Sequence, residues 1–96
     1  MLPECKALAN ETRLRILEWL KDPAASFPAA ADTAGLGVCV GLIQQKAGTS
    51  ASTVSAHLAI LQRAGFLLAT RQGQWTYYRR DEDRIRAFTE RLHRDL

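Results

Sequence analysis

At 96 residues the chain can hold one small core and no second domain, and a partner subunit would relieve its poor ratio of buried to exposed surface. No run approaches the roughly 18 apolar residues that a membrane span needs, and MLPECKALANETR interrupts with charges what a secretory signal would keep apolar, so a cytoplasmic protein is expected. The net charge is only +3 but unevenly spread: from Thr33 to Arg80 there is no Asp or Glu, while Lys46, Arg63, Arg71, Arg79 and Arg80 are present. Such one-signed segments are usually no more than solvated faces, yet one this long attracts a polyanion, most commonly nucleic acid.

In chain order, Leu2, Cys5, Leu8 and Ala9 fall on one helical stripe and predict a short helix over about 3–9. Asn10 is a good N-cap for a second helix over 11–21, whose apolar face is assigned to Leu14, Ile16, Leu17 and Leu20 and which Pro23 ends. Residues 22–37, with two prolines, two glycines and no periodicity, read as a loop that tucks Phe27 onto the core. Val38, Leu42, Ile43 and Ala47 predict a short helix stopping at Gly48, and Ser50 caps the next.

On that next helix Val54, Leu58 and Leu61 recur at i, i+4 and i+7, which turns Ser52, Ala56 and Arg63 outward with Thr53 and Ser55 beside them. Gly65 closes it. FLLATR then leads to a turn at Gln72-Gly73, where Gly73 supplies a positive φ, and QWTYYRR returns as the second strand of a hairpin. Trp19, Trp75, Tyr77 and Tyr78 read most simply as core and strand residues. From Glu82 a last helix follows, with Ile85, Phe88, Leu92 and Leu96 in one stripe.

The expected fold is therefore mainly α with a β-hairpin wing, in a single domain over 1–96: loop 22–37, helix-turn-helix 38–64, wing 66–80, terminal helix 82–96. A helix lying in a major groove wants short polar side chains that reach base edges and phosphates, and no carboxylate to repel the backbone. Thr49, Ser50, Ser52, Thr53, Ser55, Ala56, His57 and Arg63 are the candidate contacts from this helix. From the wing, Arg71 and Gln74 at the tip and Arg79 at the base are suited to phosphates or the minor groove. The competing reading is a winged-helix protein-interaction module, since Ser and Thr clusters also serve only as caps and solvated surface.

ETRLRILEWL, STVSAHLAILQRAGFL and RQGQWTYYR resemble the succession found in the ArsR/SmtB family of bacterial repressors, over residues 3 to about 94 apart from the loop. The resemblance implies a homodimeric winged helix-turn-helix repressor that binds a near-palindromic double-stranded DNA operator and leaves it when an inducer, not identifiable from sequence, binds. It also implies an interface made by the first and last helices, for which Leu2, Leu8, Ile85, Phe88 and Leu92 are the candidates.

Metal-sensing relatives of that family carry Cys-Val-Cys before the recognition helix; here the stretch is Val38-Cys39-Val40-Gly41, with glycine in place of the second thiol. Cys5 and Cys39 together give two thiolates, short of the three or four that a tight zinc or arsenic(III) site wants. Three readings stand: small buried hydrophobes, a thiol sensor answering oxidation or persulfidation, or a two-coordinate soft metal ion such as Hg(II) or Cu(I). No cofactor is required. On the last helix Asp81, Asp83, Glu90 and His93 lack the spacing of the family's second metal site, and His93 reads as solvated surface. His57 beside the buried stripe reads as a half-buried histidine bracing the helix, with a phosphate contact as the alternative. No enzyme reading gains support, because Cys39 and His57 have no orienting carboxylate near them in sequence.

Overall fold

The computed structural model describes residues 1–28, 30 and 35–96; residues 29 and 31–34 of the expected loop lie outside the described residues. The element order is α1 (Leu2–Leu8), α2 (Glu11–Lys21), α3 (Pro23–Ser26), β1 (Val38–Cys39), α4 (Val40–Ala47), α5 (Ala51–Arg63), β2 (Leu67–Gln72), β3 (Trp75–Arg80) and α6 (Glu82–Asp95). Side-chain caps set the starts of the long helices. Asn10 Oδ1 accepts from the Arg13 amide at 3.1 Å, Ser50 Oγ from Thr53 at 3.2 Å and Asp81 Oδ1 from Arg84 at 3.2 Å. Between α4 and α5, Gly48 takes a left-handed conformation (φ 70°), which turns the chain with no β-carbon to resist it.

The strands form a three-stranded antiparallel sheet in the order β1-β3-β2. Val38 does not open the helix, as its spacing with Leu42 suggested. It pairs with Tyr78, Cys39 pairs with Tyr77, and α4 begins only at Val40, with Cys39 in extended backbone as its N-cap. A β-branched residue buried on a pleated surface explains the difference. Residues 22–37 are likewise not all loop, because Asp22 caps a helical turn with Pro23 at its first position. The hairpin closes on Gln72 opposite Trp75, so its two-residue turn is Gly73-Gln74, one residue later than expected.

One core joins these elements: Ile16 and Leu20 of α2, Ile43 of α4, Val54, Leu58 and Leu61 of α5, Phe66 and Leu67 at the start of the wing, and Val38 beneath it. Phe27 is buried, and Trp19 meets it edge to face with centroids 6.4 Å apart. Three expectations are corrected here. Phe88 is not left for a partner subunit, since it is buried within the chain with its ring 5.4 Å from that of Phe66. Leu14 is half exposed and does not belong to the buried face of α2. Trp75 is a strand residue but no part of the core, with 52% of its surface exposed. Of the other interface candidates, Leu8, Ile85 and Leu92 pack half-buried against the core, whereas Leu2 is exposed.

Candidate nucleic-acid interface

The N-terminal half of α5 carries a continuous polar surface. Thr49, Ser50, Ser52, Thr53, Ser55 and Ala56 are all exposed, and the first turn holds no acidic residue, so the positive end of the helix dipole is left uncompensated. The hydroxyls are linked. Ser50 Oγ lies 2.7 Å from Thr53 Oγ1 and 3.3 Å from Ser52 Oγ, while Gln44 Nε2 reaches Ser55 Oγ at 3.5 Å, tying α4 to α5 across the turn. Ser50 is thereby engaged as a cap, and Thr49, Ser52, Thr53 and Ser55 are the hydroxyls with capacity left for a ligand.

His57 is half-buried one turn further on. Its Nδ1 faces Arg13 Nη1 at 3.1 Å, and the same guanidinium donates from Nε to the Ala7 carbonyl at 2.6 Å and from Nη2 to the Lys6 carbonyl at 3.2 Å. Burial, and secondarily the Arg13 charge, lower the histidine pKa below its ordinary 6.5. An arginine has only donors, so Nδ1 must be the acceptor and the neutral ring carries its proton on Nε2. The bracing role expected of His57 is thus filled by a partner, Arg13, that the sequence reading passed over. A signal was present: Arg13, Ile16, Leu17 and Leu20 stand at i, i+3, i+4 and i+7, which places a guanidinium on the buried stripe of α2.

The remaining cations are scattered. Arg63 is exposed at the far end of α5, beside Pro3 and Lys6 of α1, and is not brought to the hydroxyl cluster. Arg71 is exposed near the wing tip with Nε donating to the Gly73 carbonyl at 3.3 Å, Gln74 is exposed in the turn, and Arg79 is exposed toward the base opposite Leu68. Alternation along the strands puts Arg71 and Arg79 on opposite faces of the hairpin. Two members of the acid-free segment are otherwise committed. Arg80 turns inward to the Leu17 carbonyl (3.1 Å) and to Glu82 (3.0 Å), and Lys46 sits 5.4 Å above the Trp19 ring and 5.6 Å above that of Phe27.

The thiols occupy different elements, Cys39 half-buried at the join of β1 and α4, and Cys5 half-buried on α1 against the core. Among the described residues no group of three or more His, Cys, Asp or Glu side chains stands close enough to hold a metal ion. Asp81 is spent as a cap and Asp83 pairs with Arg86 at 3.2 Å, while His93 is exposed.

The profile of the helix-turn-helix domain family matches residues 8–69. An uncharacterized HTH-type transcriptional regulator of Bacillus subtilis, YbzH, is 44% identical over 93 residues, covering 95% of this chain and 93% of its own. The solution structure of a homodimeric winged helix-turn-helix DNA-binding domain from Mycobacterium bovis, described as a possible ArsR-family transcriptional regulator, superposes with a TM-score of 0.68 at 32% identity. It covers 98% of this chain and 77% of that one. The chain belongs to the ArsR family of winged helix-turn-helix transcriptional regulators. Within the family the regulator is also similar to the transcriptional activator HlyU of Vibrio cholerae, 34% identical over 93% of this chain and 70% of HlyU. The arsenical resistance operon repressor of Escherichia coli is 35% identical over 77% of this chain and 53% of that protein. Among the described residues no helix is long and apolar enough to cross a membrane.

Proposed function

We propose that this regulator binds a near-palindromic DNA operator as a homodimer, represses transcription by occupying it, and leaves it when an inducer acts. The observation that carries the reading is the N-terminal half of α5: exposed hydroxyls on a capped helix end, no carboxylate in its first turn, and next to it in the chain a wing with exposed Arg71 on β2 and Arg79 on β3. In the groove, Ser52, Thr53 and Ser55 exchange hydrogen bonds with base edges and phosphates while the helix dipole favours the phosphate approach. The wing arginines hold the backbone beside it.

Two copies joined through α1 and α6 would present two recognition helices to half-sites about one helical turn apart. Exposed Leu2 and Leu96 at the outer ends of those helices favour that surface. The inducer route that this geometry favours is through Cys39, because a bulkier sulfur at the half-buried N-cap of α4 would displace the first helix of the helix-turn-helix pair.

Binding of promoter-derived duplex across a salt series tests the reading. Each neutralised phosphate contributes roughly 0.9 to the slope of log affinity against log salt, so a steep slope is expected. An affinity that barely changes from low to high salt favours the protein-interaction module instead. Since the proteins similar to this chain include one named an activator and one named a repressor, a promoter-reporter fusion reads the sign: repression predicts higher expression when the regulator is deleted.

A further inference from the structure

Trp75 has no structural use that its place in the fold explains. It is the first residue of β3, opposite Gln72 in the closing pair of the hairpin, with 52% of its surface exposed and no aromatic ring stacked on it among the described residues. A six-residue strand separates it from Arg80 and the start of α6, roughly 17 to 20 Å away. An interface built from the terminal helices therefore does not cover it.

Its surroundings define the partner. Gln72, its cross-strand partner, is exposed on the same face, Gln74 is exposed beside it in the turn, Arg79 lies on that face toward the base and Arg71 on the other, and no carboxylate occurs between Thr33 and Arg80. Two amides beside one large apolar side chain, with a guanidinium on each face of the hairpin, is the residue mixture of proteins that enter the DNA minor groove, where Arg and Gln read the floor and apolar side chains insert. Indole adds a constraint of its own, because Nε1–H can only donate. At an A·T pair the minor-groove floor offers only acceptors, N3 of adenine and O2 of thymine, whereas a G·C pair interposes the exocyclic amine of guanine, itself a donor.

We infer that Trp75 is a DNA contact that inserts into the minor groove beside the recognition helix, packing on the deoxyribose walls and donating from Nε1 to the floor, and so favours flanks lacking the guanine amine. This deepens the operator-binding reading and rests on it.

The test needs no knowledge of the operator. Alternating duplexes of dA-dT, dG-dC and dI-dC are compared at low salt; an inosine·cytosine pair keeps the major groove of G·C but lacks the amine in the minor groove. Wild-type protein is expected to bind the inosine duplex several-fold more tightly than the guanine duplex. Trp75→Ala is expected to lose both that preference and roughly tenfold in affinity for the inosine duplex, the scale of losing one ring contact. Trp75→Phe should lose the preference while keeping part of the affinity.

In protein carrying 5-fluorotryptophan, the Trp75 resonance, assigned by its absence from Trp75→Phe, should shift on adding the inosine duplex while that of Trp19 stays in place. Duplex binding with an unmoved Trp75 resonance, or an inosine preference undiminished in Trp75→Ala, overturns this inference and leaves operator binding standing. Failure to bind any of the three duplexes overturns both. Because Trp75 lies outside the core, neither variant removes a residue on which the fold depends.

Discussion

Arg13 Nη1 and His57 Nδ1 stand 3.1 Å apart, and through this contact one guanidinium joins three helices. Its other two arms take the Lys6 and Ala7 carbonyls at the end of α1, where the helix dipole also favours a cation. The first helix, the second and the recognition helix are thus fixed by one side chain whose planar fork matches all three acceptors at once.

Arg13→Ala is expected to leave the Ala7 carbonyl and a half-buried imidazole without their donor, while the Lys6 carbonyl keeps the Ala9 amide. The cost should be about 1 to 3 kcal/mol of unfolding free energy, measured by urea denaturation. Arg13→Lys should recover little of it, because a single ammonium on a flexible stem cannot serve three acceptors in fixed directions. Full stability in the lysine variant would show that charge alone, and not the fork, is what α1 requires.

The same contact makes stability depend on pH. Since the folded-state pKa of His57 is lowered, by burial first and Arg13 second, the unfolded chain binds the proton more readily than the folded one. The stabilisation tied to neutral His57 is complete above the unfolded value near 6.5 and is lost as the pH falls below it through the lowered folded value. Denaturant midpoints of wild type and His57→Gln, taken from neutral to mildly acidic pH, should converge as the pH falls. Parallel curves would place the acid sensitivity elsewhere.

The recognition helix and wing were legible because each rests on a local rule: Val54, Leu58 and Leu61 at helical spacing, Ser50 as a cap, glycine in two tight turns. What escaped was set by distant partners. Val38 matched the helical spacing of Leu42 as well as it matched a strand, and only pairing with Tyr78, forty residues away, decides between them. Leu14 and Arg13 are adjacent, so assigning the apolar residue to the buried stripe hid the charged one that occupies it. Phe88 looked like surface for a partner because nothing local reveals that Phe66 lies beneath it.

The hydroxyl cluster and the wing should separate in their effects on DNA. Arg71→Ala is expected to weaken binding to all duplexes alike and to lower the salt slope by about one unit, as the loss of a phosphate contact does. Ser52→Ala and Thr53→Ala should instead change the ranking of sequences, with each lost base contact costing about 1 to 3 kcal/mol of discrimination. Competition against random duplex measures both. Equal losses of Thr53→Ala on specific and random DNA would reduce that hydroxyl to a positional role, consistent with its contact to Ser50.

Cys39 and Cys5 should also differ. Cys39 occupies the N-cap position of α4 without a side-chain cap bond, so serine there can only add one, and reduced Cys39→Ser protein should bind DNA as wild type does. Mild peroxide is expected to release wild type and Cys5→Ser from promoter DNA and to leave Cys39→Ser bound, with mass mapping placing the modification at Cys39. Release of Cys39→Ser under the same treatment would assign the response to Cys5. If no protein is released and neither thiol is modified, both are packing residues and the inducer acts elsewhere.

Phe88 and Leu2 distinguish folding from association. Phe88 is 8% exposed and stacks edge to face on Phe66, so Phe88→Ala removes a core ring and should cost about 3 to 5 kcal/mol, lowering the unfolding midpoint at every protein concentration. Leu2 is 65% exposed on α1, and a carboxylate there disturbs nothing within the chain. In the proposed dimer the same carboxylate would enter an apolar interface without a partner, so Leu2→Glu should shift sedimentation toward the monomer while a monomeric sample keeps its helical signal. Half-site occupancy by such a monomer would lose the operator affinity that comes from holding two recognition helices on one molecule. A Leu2→Glu protein that sediments as wild type does would remove α1 from the interface and leave α6, with exposed Leu96, as the surface to test next.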